Sequence, residues 1–229
     1  MQTASAALPI SVARFGTQPS DVMLPAVACL SIPIPMTLEE FLDSRFDLPD
    51  SGQWAELDAG EVVLLQPPDL EHGNAILNFS KAVAAWASTA AAEEAGAMYA
   101  CFDLGLILTQ QPDTVRFPAV SFFAGGNRFA ESDKLATDTV PRLVMELASS
   151  SDRRLQMPER VQRYFDWGVP TVWVIDPQGR HVLQRSMTGQ QRDLIEGDRL
   201  TDTAALPGFD IEVSTLFIEP SWWTNGSRR

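Results

Sequence analysis

The sequence predicts an α/β fold of the α+β kind, with a mixed central β-sheet flanked by helices. Three observations predict it. Two stretches, one from Leu70 to about Ala95 and one closing at Gly168, carry apolar residues near helical spacing. Several short runs rich in Val, Leu, Ile and Phe lie around them, as expected of strands buried on both faces. Helices and strands do not strictly alternate, which excludes a doubly wound nucleotide fold or an α/β barrel.

The first 35 residues are poor in charge and rich in Ala, Ser and Pro. Prolines break their apolar run, so an extended or partly disordered arm over 1–35 is expected, followed by a domain over 36–219. Thr37-Leu38-Glu39-Glu40 fits a capping box that opens a short helix carrying Leu38 and Phe41 inward. WAELDAGEVVLLQP then predicts a β-hairpin turning at Asp58-Ala59-Gly60. The long helix from Leu70 places Ile76, Leu77, Val83 and Trp86 on one face, and Gly96 is its expected stop. Three strands are expected next, in CFDLGLILT, TVRFPAVSFFA and RLVMELAS. DRRLQMPERVQRYFDWG predicts a helix closed by Gly168, with Pro158 near its first turn. PTVWVIDP and HVLQRSM predict two strands joined at Asp176-Pro177-Gln178-Gly179, and LPGFDIEVSTLF closes the domain before a tail over 220–229.

Composition narrows the function classes. The chain has 229 residues, 45% hydrophobic and 21% charged, enough for a sizeable core. Its formal net charge of −13 disfavours DNA as a non-specific partner, because each phosphate contact needs a local cation. Lys81 and Lys134 are its two lysines, so nearly all positive charge is arginine. Cys29 and Cys101 have no metal-ligand spacing, which favours a reduced, cytoplasmic chain, with one bridge between them as the alternative. No apolar run spans a bilayer, so no membrane partner is expected. Trp54, Trp86, Trp167 and Trp173 are expected in the core or at its rim.

Three residues stand out chemically. Glu146 lies inside an apolar strand, where an unpaired carboxylate is expensive to bury. It is either a site carboxylate or one paired with an arginine or set at a solvated strand end. Glu56 opens the hairpin and is a site residue or plain solvated surface. His72 starts the long helix after Pro67-Pro68, either as a functional group or as a structural histidine.

The ordered segments AELDAGEVV, PPDLEHG, TVRFPAVSFF, MELASSSDRR, ERVQRYFDWGVPTVWVIDP and LPGF resemble the Uma-type putative restriction endonuclease family of the PD-(D/E)XK nuclease superfamily. The resemblance runs from Thr37 to Phe217. It implies a restriction-endonuclease-like domain with a divalent-metal site for phosphodiester hydrolysis. In such sites a hard cation, Mg²⁺ or Mn²⁺, is held by carboxylates and activates a water. The resemblance assigns Glu146 and Glu56 as metal ligands, His72 and Arg160 as further catalytic positions, and Tyr164, Gly168, Val169, Trp173 and Asp176 to the scaffold. It places Ser149, Ser151 and Asp152 in the polar loop after the Glu146 strand.

Two departures from the family pattern affect activity. Ala119 follows Pro118 where the family has its metal aspartate, and the family lysine falls on Arg160, which cannot act as a base. Asp113, upstream of Ala119, and Asp103, on the preceding strand, are the candidates to substitute, although Asp113 is better suited to capping its own turn. The sequence therefore implies a nuclease scaffold with a degenerate site and weak or absent cleavage. The alternative is a silent binding or structural domain, with a homodimer through the arm as one form of it.

Overall fold

The computed structural model describes residues 35–89, 92, 98–125 and 130–221. All but the last residue of the expected arm over 1–35, the expected helix stop at Gly96, Cys29 and most of the expected tail lie outside the described residues. The described residues form one compact unit.

Helix α1 (Leu38–Ser44) opens on the expected capping box, with both reciprocal bonds between Thr37 and Glu40 made. The hairpin of β1 (Ala55–Asp58) and β2 (Glu61–Leu64) turns through Ala59 and Gly60, both at positive φ. This is the twist that tight hairpins favour. Helix α2 spans Leu70–Ala87, and its buried face carries Ala75, Phe79, Val83 and Trp86.

Two of the expected strands each prove to be two. CFDLGLILT becomes β3 (Tyr99–Phe102) and β4 (Gly105–Thr109), separated where Asp103 takes φ 51. A left-handed residue there re-aims the chain. TVRFPAVSFFA becomes β5 (Thr114–Arg116) and β6 (Val120–Phe123). Pro118 has no N–H to give a ladder, and the gap falls around it. In both cases the chain crosses from one sheet to another. β4 and β5 belong to a five-stranded sheet ordered β2-β1-β5-β4-β7, with β7 at Ala136–Thr137. β3 and β6 belong to a six-stranded sheet.

That larger sheet runs β11-β10-β9-β8-β6-β3, with β8 at Leu143–Leu147, β9 at Thr171–Asp176, β10 at His181–Ser186 and β11 at Gln191–Leu194. It is mixed: β8 and β9 are parallel, while β6 and β10 are antiparallel to their neighbours. Helix α3 (Ser151–Trp167) is the crossover between the parallel pair. It begins two turns before Pro158 rather than at it, because Ser150 supplies the cap by accepting from the Arg153 N–H. It ends at Gly168, φ 108, whose N–H and that of Val169 return to Tyr164. A further hairpin, β12 (Arg199–Asp202) and β13 (Leu206–Glu212), precedes a closing 3-10 turn at Val213–Phe217.

Both faces of the large sheet are covered. One face places Leu143, Met145 and Leu147 of β8 with Phe79, Trp86, Trp173 and Phe209 in an aromatic-rich core. The other places Val144 and Ala148 with Met157, Val161 and Tyr164 of α3. The period of two along β8 therefore aims Glu146 at α3. Trp86 and Trp173 are core residues, and Trp54 and Trp167 are half-buried at the rim, as expected. No helix among the described residues is long and apolar enough to cross a membrane.

Candidate functional site

Three of the four elements carrying candidate residues converge on one guanidinium. β1 alternates Ala55 and Leu57 into a third apolar cluster with Phe41, which turns Glu56 the opposite way. β8 turns Glu146 toward α3. From α3, Arg160 reaches both.

Its Nη1 and Nη2 donate to Glu56 at 2.6 and 2.9 Å, and its Nε and Nη2 donate to Glu146 Oε1 at 3.1 and 2.7 Å. Tyr164, one turn further along α3, donates its hydroxyl to the same Glu146 oxygen at 2.6 Å. Phe117 donates its backbone N–H to Glu56 at 3.0 Å, and Arg116 lies 3.5 Å away. Glu56 and Glu146 are each 1% exposed. The network continues outward from Arg116 to Asp58, and from Asp58 to Arg163.

Electrostatics follow the geometry. Burial pushes the Glu56 carboxyl up, but the charge and hydrogen bonds of Arg160, then Arg116 and the Phe117 N–H, hold it below the usual carboxylate range. Burial alone would lower Arg160, yet Glu146 and Glu56 raise it well above its ordinary value. Burial and the charge of Glu146 push the Tyr164 phenol well up, so it stays neutral and donates.

His72 stands apart from this cluster. Its Nδ1 lies 3.0 Å from the buried Ser149 hydroxyl, and its ring meets Trp54 edge-on at 5.8 Å. Burial, then the charge of Arg153, lowers its pKa to about 4, so the imidazole is neutral at pH 7. His72, Trp54, Glu56, Asp103, Ala119 and Arg153 line one cavity of about 160 Å³. Ala119 and Glu56 therefore line the same cavity. Asp113 instead caps α1, accepting from the Leu38 N–H at 2.6 Å, and also accepts from Gln111 within its own turn. Asp176 is held by two bonds from Arg154. No group of three or more His, Cys, Asp or Glu among the described residues is arranged to hold a metal ion.

Sequence reasoning missed Arg116 and Arg153, and it took Tyr164 for plain scaffold. A signal for two of them is present. The buried residues of α3 are Arg153, Met157, Arg160, Val161 and Tyr164, a single helical stripe that includes two arginines.

Two buried glutamates, one from each of two sheets, meet under a crossover helix in this α+β fold. A crystal structure of a putative nuclease belonging to DUF820 from Anabaena variabilis shares this fold, with a TM-score of 0.60 and 18% identity. The match covers 80% of this chain and 98% of that one. The family model Uma2, putative restriction endonuclease, matches residues 38–214, and the chain belongs to this family. No curated protein matches it.

Proposed function

We propose that this chain is a nuclease-family domain whose metal site has been replaced by an internal ion cluster, leaving cleavage weak or absent. One observation carries this reading: the Arg160 guanidinium is bonded to both Glu56 and Glu146, the two carboxylates a divalent cation would need. The residues present do not fit Mg²⁺. A cation entering between them would meet a fixed positive charge, and Ala119 brings no oxygen ligand. Arg160 also stays protonated at any working pH, so it cannot take a proton from water. In this reading Arg160 compensates buried charge and Tyr164 holds Glu146 in place. The net charge of −13 further opposes a long nucleic-acid strand.

The test is incubation of the purified chain with plasmid and short single-stranded DNA in Mg²⁺ or Mn²⁺. No cutting above background is expected. Robust cutting that disappears in Glu146→Ala overturns the proposal.

A further inference from the structure

Arg153 differs from the other buried arginines around the site. It is 6% exposed, yet its guanidinium pairs with no carboxylate among the described residues, and its Nε has no hydrogen-bond partner there. Arg160, Arg116 and Arg45 all have carboxylate partners. Its guanidinium carbon lies 5.4 Å from the Trp54 ring, and Glu146 and Glu56 act on it through their charge alone, with no contact ion pair. A buried guanidinium with an unsatisfied donor and no carboxylate in contact is costly, and native structures seldom leave one.

The cavity it lines offers the missing partner a place. Two carboxylates share that lining, but each is engaged elsewhere: Glu56 by Arg160 and Arg116, and Asp103 by Arg45 at 3.7 Å. Arg153 is thus the charged group of the lining that makes no contact ion pair among the described residues, although Glu146 and Glu56 act on it at longer range. Trp54, Phe117 and His72 supply ring faces and edges around it. The volume, about 160 Å³, is below that of sites for drug-sized molecules and suits a small group at the end of a ligand. Exposed Gln53 and Phe102 also line it and give it contact with solvent.

We propose that this cavity is a phosphate pocket, in which Arg153 receives an inorganic phosphate or the terminal phosphate of a nucleic-acid strand beside Trp54 and His72. A guanidinium matches a phosphate with two parallel N–H bonds, and it does so most strongly where water is excluded. The inference deepens the reading of a site without a metal, since the ligand is an anion held by arginine and no cation is required.

The experiment is calorimetric titration of the full chain, without divalent metal, with inorganic phosphate and with a short oligonucleotide bearing or lacking a 5′-phosphate. Phosphate binding is expected in the parent and should weaken about tenfold or more in Arg153→Met. Ala119→Leu fills the same cavity while leaving the charge in place, and it should weaken binding too. This second variant keeps the test open should Arg153→Met fail to fold, as circular dichroism would reveal. A preference for the phosphorylated strand over its unphosphorylated twin supports the pocket and identifies a strand end as the source. Binding of inorganic phosphate without that preference supports it with free phosphate as the source. No binding in the parent, or unchanged binding in both folded variants, overturns it. Metal-dependent DNA cutting would overturn the silent-site reading while leaving this result untouched.

Discussion

Glu56 and Glu146 are joined through one guanidinium, although they come from different sheets. Arg160 lies 104 positions from Glu56 and 14 from Glu146, so the contact links the hairpin, the central strand and the crossover helix. All three groups are at least nine-tenths buried. Their mutual arrangement therefore matters more to stability than a surface pair would.

Removing the cation from this cluster should be severe. Arg160→Met leaves two buried carboxylates without their main partner, and a loss of about 3–5 kcal/mol is expected from urea unfolding. Tyr164→Phe removes one bond to a charged acceptor and should cost less, roughly 1.5–3 kcal/mol. Equal costs for the two would show that Arg160 acts mainly by packing.

On the proposed reading, a carboxylate at position 119 together with a lysine at position 160 should confer metal affinity. Ala119→Asp adds a carboxylate to the cavity that Glu56 also lines, and Arg160→Lys replaces the fork with a single ammonium. The double variant is expected to bind Mg²⁺ by calorimetry where the parent does not. The absence of any heat of binding in a folded double variant would mean that the cluster cannot reopen.

Stability should depend on pH through His72. Its folded pKa is about 4, against an ordinary 6.5. Between those values the unfolded chain binds the extra proton, so stability is full above about 6.5 and falls as the pH drops toward 4. The contribution is on the order of 3 kcal/mol at most. Thermal midpoints measured across that window should slope less in His72→Gln. An unchanged slope would assign the effect to other groups.

Much of this was legible in the sequence, for reasons particular residues make clear. The capping box at Thr37, the turn at Ala59-Gly60 and the helix stop at Gly168 are local signals, and each formed as read. Glu146 was conspicuous because its neighbours are apolar. The hairpins of β11 and β12 were not foreseen, since QRDL and RLTD are mostly polar or exposed and carry no apolar period. Arg153 and Arg160 sit on the inward stripe of α3, where a hydrophobic pattern does not look for charge. The partner of Arg160 on β1 could not be read at all, because it depends on how two sheets meet.

The chain's passage from one sheet to the other at Phe117-Pro118-Ala119 has a kinetic consequence. Glu56 rides on the first sheet and Glu146 on the second, so Arg160 can close on both only after each has assembled. Contacts of such long loop closure tend to form late. Arg160→Met is then expected to accelerate unfolding while leaving the refolding limb of a chevron nearly unchanged. A slowed refolding limb would instead place the cluster in the folding nucleus. On the expected outcome, these buried charges act as a latch that sets how long the folded domain persists.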